Sequence, residues 1–230
     1  MISSYGFSEI GNSKKNINQD AIFYDDNGKT GIFVVSDGVG GMKSGEVASS
    51  KVCEKMEIAW STVNSNKISD IKEIVAIIKE KLTECHEEIL SEYGNECGAT
   101  VVVLVISIGQ CAVIWAGDSR CYMMNGKSRT FTALTKDDVE DEKDSKITNA
   151  IGFFSTPMLN TTYLDYDGKA AFLLMSDGIY KYVEKESISD AARLSFVYEK
   201  VQKACENLKN EAYKNGAGDN LSLIAVTAIK

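Results

Sequence analysis

Turn signals recur along this chain between runs rich in Val, Ile, Tyr and Thr: Asp25-Asp26-Asn27-Gly28, Gly109, Asn125-Gly126 and Asp167-Gly168. Strands joined by such short turns run antiparallel, because parallel neighbours need a long crossover. The pattern predicts strands at Ser3–Ser8, Ala21–Tyr24, Gly31–Ser36, Ala99–Ile106, Cys111–Ala116, Cys121–Asn125, Thr130–Leu134, Thr161–Leu164, Ala170–Met175 and Leu221–Ala228. Two helices interrupt the series. The first is capped by Ser44 and repeats apolar residues at Ala48, Val52, Met56 and Ala59. The second runs from Ile71 to Tyr93, with Asp70 and Glu73 in capping-box spacing and Gly94 at its end. A third, from Leu194 to Tyr213, presents Val197, Val201, Ala204, Cys205, Leu208 and Ala212. Two antiparallel sheets packed together, with helices outside, would bury every apolar stripe. The expected class is therefore α+β, in one domain spanning 1–230, without repeats or low-complexity linkers.

Composition narrows the function. With 44% hydrophobic residues in 230, the chain is long enough for a substantial core. A net charge of −8 argues against a general basic surface for nucleic acid. The N-terminus lacks a basic start followed by an apolar stretch, and the apolar run Val101 to Ile106 is far too short to span a bilayer. Cys53, Cys85, Cys97, Cys111, Cys121 and Cys205 form no Cys-x-x-Cys pair and read as buried free thiols in a reducing cytoplasm. The lone His86, in a charged helical stretch, reads as a surface residue. One histidine excludes a His-rich zinc site and any nucleophile–histidine pairing that does not use His86.

The chemistry is carried by aspartates. Val34-Val35-Ser36-Asp37-Gly38 and Leu174-Met175-Ser176-Asp177-Gly178 each end an apolar run in Ser-Asp-Gly. Asp20 follows Asn18-Gln19, Asp118 follows Ala116-Gly117, and Asp219 follows Gly216-Ala217-Gly218. Singly, an Asp beside Gly is a common turn, because its side chain bonds the local backbone. Five of them at separate strand ends point to one shared site, and hard oxygen ligands suit Mg2+ or Mn2+. Glycine at 38 lets a backbone carbonyl approach an ion closely.

Beyond these residues the chain resembles the metal-dependent serine/threonine protein phosphatases, the protein phosphatase 2C (PPM) family, in its compact bacterial form. The resemblance rests on an ordered set: Asn18-Gln19-Asp20, Ser36-Asp37-Gly38-Val39-Gly40-Gly41, Gly45-Glu46-Val47-Ala48, Gly98-Ala99-Thr100, Ala116-Gly117-Asp118-Ser119-Arg120, Leu134-Thr135, Asn149-Ala150-Ile151-Gly152, Ser176-Asp177-Gly178 and Gly218-Asp219-Asn220. It implies a four-layer αββα sandwich of two antiparallel β-sheets flanked by helices, with a binuclear Mg2+/Mn2+ centre at one end of the sheets. By the same resemblance, Asp37 bridges the ions, the Gly38 carbonyl binds the first, and Asp177 and Asp219 bind the second. Asp20 holds ion-bound waters, Asp118 helps bind a weaker third ion, and Asn220 supports Asp219.

The implied activity is hydrolysis of phosphoserine and phosphothreonine on proteins, opposing a bacterial Ser/Thr kinase, by a cytoplasmic monomer. Water activated between two cations attacks phosphorus directly, so no histidine base or phosphoenzyme is needed. Consistently, no arginine stands six residues after Cys121, as a cysteine-phosphatase loop would require; Lys127 is there. Three departures stand out. Lys15 replaces the family's phosphate-gripping arginine, keeping charge but losing the bidentate fork, with Lys14 or Arg120 as possible compensation. Val39 stands where some members carry histidine. Only Lys136 to Lys146 separate Leu134-Thr135 from Ile147, so the flap is trimmed and Phe153 to Asn160 forms its remnant. Two alternatives follow: a pseudophosphatase that binds phosphoproteins on the same scaffold, against which the five aspartates argue, and a phosphatase dedicated to one small regulatory partner.

Overall fold

The structure is a computed structural model that describes residues 1–12, 16–39, 44–126, 128–141, 146–153, 156–196 and 200–230. Among the described residues the strands are β1 (Ile2–Glu9), β2 (Asp20–Asp26), β3 (Thr30–Asp37), β4 (Val101–Ser107), β5 (Gln110–Ala116), β6 (Arg120–Asn125), β7 (Phe131–Ala133), β8 (Asn160–Asp165), β9 (Lys169–Met175) and β10 (Leu221–Ile229). The helices are α1 (Gly45–Ser65), α2 (Ile71–Tyr93), α3 (Asp177–Tyr180), α4 (Lys185–Leu194) and α5 (Val201–Lys214). One sheet has the order β1-β10-β9-β6-β7 and the other β2-β3-β4-β5-β8, with all named pairings antiparallel.

Alternation along the strands builds three apolar seams, and these define the layers. Val101, Val103 and Val105 of β4 face α1 and α2, packing with Val52, Met56, Ile78 and Leu82. Val102, Leu104 and Ile106 face the opposite sheet, packing with Phe172, Leu174, Ile224 and Val226. On that sheet's other side Leu173, Met175, Leu223 and Ala225 meet Ile188, Ala204, Cys205 and Leu208 of α4 and α5. The αββα sandwich expected from the motifs is therefore the observed fold.

Several local expectations hold for the stated reason. Gly28 sits at φ 85 in the β2–β3 hairpin, where Asp26 Oδ1 accepts its N–H at 2.8 Å. Asp70 Oδ1 accepts the N–H groups of Lys72 and Glu73, both at 2.9 Å, and Gly94 ends α2 at φ 59. All six cysteines are free, and all but the half-buried Cys53 are buried.

Others are corrected. Ser44 stands before α1 but at φ 64, and its side chain makes no capping bond; its carbonyl instead accepts the Val47 N–H at 3.0 Å and the Cys97 thiol at 3.1 Å. The helix placed from Leu194 to Tyr213 is α5, Val201–Lys214, whereas Leu194 closes α4, Lys185–Leu194, for which no helix was expected, and Val197 lies outside the described residues. The buried Ser195 ends α4: its hydroxyl turns back to the Ala192 carbonyl at 2.8 Å, and its own carbonyl accepts the Thr227 hydroxyl. The charged stretch after Thr135 is anchored over its described residues 136–141. Asp138 ties it down by accepting from the Gly117 N–H, Asn149 and Asn160 at 2.8–3.1 Å. His86 is buried rather than exposed, and its Nδ1 accepts the Gly152 N–H at 3.1 Å. Its charged neighbours in sequence face solvent, while residue 86 falls on the apolar stripe of α2. Lys14, Lys15, Gly40, Gly41, Phe154 and Ser155 lie outside the described residues.

Candidate active site

The antiparallel pairing sets the start of β2 beside the end of β3, so Asp20 and Asp37 face each other in register. Asp118 follows β5, Asp177 follows β9, and Asp219 precedes β10. All five aspartates therefore gather at one end of the two sheets. Close contacts join the sheets there. The Ser176 hydroxyl, on the β9 side, donates to Asp20 Oδ2 at 2.8 Å. Asn220 Oδ1 accepts the Gln19 N–H at 2.9 Å, and its Nδ2 donates to the Ile10 carbonyl at 3.0 Å. The Asn220 side chain thus holds the backbone just before Asp20, whereas Asp219 is met by the Asn220 backbone N–H.

Glycines make the close approaches possible. A Cβ on Gly178 would fall 1.9 Å from the Asn220 carbonyl oxygen, so only glycine lets the Asp177 and Asp219 segments lie against each other. A Cβ on Gly38 would fall 2.5 Å from the backbone of Gly45, where α1 begins. Thr100 completes the frame. Its N–H donates to the Asp37 carbonyl at 2.8 Å, and its hydroxyl pairs with that of Ser119, beside Asp118, at 2.8 Å.

The electrostatics are those of crowded carboxylates. Burial pushes Asp20 up to about 6, against hydrogen bonds from Ser222 and Ser176 that favour its ionised form. Asp37 keeps a solvent-accessible edge, yet desolvation of its carboxyl, together with Asp20, Asp177 and Asp118, holds it well above the usual range. Burial and then Asp177 push Asp118 up to about 6, although Lys181 and the Tyr180 hydroxyl, 3.1 Å from its Oδ2, act the other way. Four of the five aspartates therefore sense one another. Asp219 is exposed, and its Oδ1 accepts the Asn220 N–H at 2.9 Å.

Among the described residues, no three acidic, histidine or cysteine side chains stand together at metal-binding spacing. Two of the candidate ligands hold other partners: Lys181 Nζ lies 2.6 Å from Asp177 Oδ2, and Asp219 bonds its neighbour's backbone. The residues present nonetheless fit hard divalent cations. The donors are all oxygen, their ionised forms are mutually repelled, and buried Asp20 Oδ1 has no hydrogen-bond donor.

Arg120, weighed as a phosphate ligand, is committed elsewhere. It grips Asp137 through two nitrogens, at 2.7 and 3.0 Å, and its guanidinium lies 3.6 Å above the Tyr180 ring. It lines a cleft of about 980 Å3 beside Asp118, together with Lys136, Asp137, Tyr180 and Lys181. Sequence reasoning missed Ser176 as a partner of Asp20, although it stands in the Ser-Asp-Gly motif. It also missed Lys181, for which the spacing of four from Asp177 was the available signal.

Residues 11–215 match the family model described as Protein phosphatase 2C. The chain belongs to the protein phosphatase 2C family of serine/threonine phosphatases. A relative, serine/threonine phosphatase stp of Listeria welshimeri, is 21% identical over 215 residues, covering 85% of this chain and 83% of its own. Among solved structures, PppA of Pseudomonas aeruginosa superposes with a TM-score of 0.80 at 25% identity, over 98% of this chain and 96% of that one. The catalytic domain of PstP, solved in complex with two manganese ions, gives 0.79 at 20% identity, over 100% and 99%. Among the described residues, no helix is long and apolar enough to cross a membrane.

Proposed function

We propose that this chain is a metal-dependent phosphatase hydrolysing phosphoserine and phosphothreonine on proteins, with two Mg2+ or Mn2+ ions held by Asp37, the Gly38 carbonyl, Asp177 and Asp219. The observation that carries the reading is the meeting of both sheet ends on mutually repelling carboxylates, with a buried acceptor, Asp20 Oδ1, that has no donor. Bound there, divalent cations supply an acidified water for attack on phosphorus and neutralise charge on the phosphoryl oxygens.

The protein's own residues set the geometry. Ser176 fixes Asp20 through Oδ2, leaving Oδ1 free to accept a proton from a water. Thr100 and the Gly38 turn fix Asp37 at the end of β3. Asn220 holds the strand carrying Asp20 against the turn carrying Asp219. Substrate phosphate falls to Lys15, with Arg120 excluded by its grip on Asp137. The partners are phosphorylated proteins and an opposing Ser/Thr kinase, in the cytoplasm, with 1–230 acting as one monomeric catalytic domain. The relatives' names as serine/threonine phosphatases support the substrate class.

The test is hydrolysis of a small aryl phosphate and a phosphothreonine peptide, with Mn2+ or with chelator, beside Asp37→Asn. Turnover that requires Mn2+ and is lost in the variant is expected. Mn2+ binding without turnover of either substrate would overturn the enzymatic reading in favour of a phosphoprotein-binding module.

A further inference from the structure

Lys181 closes the short helix α3 one turn beyond Asp177. Its N–H donates to the Asp177 carbonyl at 3.0 Å, and its Nζ returns to Asp177 Oδ2 at 2.6 Å. The side chain is 40% exposed, so it reaches the cluster from the cleft side. A neighbouring cation is differently engaged: the Arg120 guanidinium is forked onto Asp137 and stacked on Tyr180. Tyr180 in turn donates its hydroxyl to Asp118 Oδ2, and Asp118, Tyr180 and Lys181 line the same cleft.

The charges balance on this arrangement. Asp20, Asp37, Asp118, Asp177 and Asp219 bring five negative charges when ionised, and two divalent ions bring four positive ones. A single ammonium makes up the difference. A third divalent ion between Asp118 and Asp177 would have to displace Lys181 from Asp177 Oδ2 and meet its like charge.

We infer that Lys181 is a resident cation at the Asp118–Asp177 edge, standing where those two carboxylates would together hold a further ion, so that this chain loads two divalent ions and not three. The inference rests on the two-ion reading above. It makes Lys181 a positioning residue, orienting Asp177 and neutralising Asp118 without touching the reacting atoms.

The experiment counts ions rather than turnover. The full chain is titrated with Mn2+ at neutral pH, and free Mn2+ is followed by its electron paramagnetic resonance signal. Wild type is expected to bind two Mn2+ per chain. Lys181→Met is expected to bind three, and Lys181→Met with Asp118→Asn to return to two. Lys181→Arg keeps the charge and is expected to stay at two. Should the Met variant fail to fold, Lys181→Gln, which keeps a hydrogen-bond donor without the charge, gives the same count. Three ions in wild type, or only two in both uncharged variants, would overturn the inference while leaving the two-ion centre standing. A wild-type chain that binds no Mn2+ would overturn the two-ion reading, and this inference with it.

Discussion

Removing divalent cations is expected to make this protein less stable as pH rises from about 4 to about 7, and restoring Mn2+ to abolish that loss. The argument starts from Asp20 and Asp118, both pushed from the ordinary 3.8 up to about 6, chiefly by burial. A carboxyl whose folded pKa exceeds its unfolded value keeps its proton longer in the folded state. Its folded-state penalty is absent below the unfolded value, grows as pH rises between the two, and is complete above about 6. At about 1.4 kcal/mol per unit, a rise of about two units gives roughly 3 kcal/mol for each group. The two are not additive, because Asp20 faces Asp37 and Asp118 faces Asp177. For a chain of this size, one such group corresponds to about 6–12 °C in Tm. The assay is thermal unfolding in chelator and in Mn2+ at about pH 5, 6 and 7.5. Asp20→Asn isolates one group, because the amide oxygen still accepts from Ser176 while the charge is gone. In chelator, that variant is expected to show a flatter pH profile and a higher Tm than wild type at about pH 7.5. A wild-type Tm independent of pH in chelator, or an unchanged slope in Asp20→Asn, would refute the reasoning.

Three further perturbations test the frame of the site. Gly178→Ala puts a methyl 1.9 Å from the Asn220 carbonyl, so the Asp177 and Asp219 segments must part; a loss of about 2 kcal/mol or more in urea unfolding and a drop in Mn2+ affinity are expected. Asn220→Ala leaves the Gln19 N–H and the Ile10 carbonyl without their partner; about 1–3 kcal/mol should be lost for the buried N–H, read as a lower urea midpoint at constant slope. His86→Leu removes the acceptor of the Gly152 N–H in a buried setting; a loss of similar size, about 1–3 kcal/mol, is expected by the same assay, and its absence would mean that the loop finds another acceptor.

The sheets were legible because their signals are local and periodic. Val101 to Ile106 reads as a strand buried on both faces, and the structure divides it between two seams by simple alternation. Asp70 and Gly94 mark the ends of α2 through side-chain and backbone chemistry confined to a few residues. The places that misread are settled by distant partners. Nothing near Ser195 in sequence announces Thr227, whose hydroxyl takes the Ser195 carbonyl where α4 ends. α4 turns Ile188, Ala191 and Ala192 inward at helical spacing, but only one of the three is a large apolar residue. His86 sits among glutamates in sequence but meets Gly152 in space. The site shows the same division. The aspartates were visible at strand ends, whereas the Ser176 bond to Asp20 and the Lys181 bond to Asp177 depend on how the sheets dock and on the single turn of α3.

The pairing of β1 with β10, in which Ile2 lies opposite Ala228, bears on how the molecule is made. A ribosome adding about 5–20 residues per second leaves β1 without its neighbour for on the order of ten seconds or more. Meanwhile β2 to β5 can pair with one another as they emerge, bringing Asp20, Asp37 and Asp118 close before Asp177 and Asp219 have been synthesised. A nascent chain therefore carries an incomplete aspartate cluster and an open sheet edge together. Insertion of β10 between β1 and β9 resolves both at once, so the aspartate cluster is completed only once synthesis has passed β10.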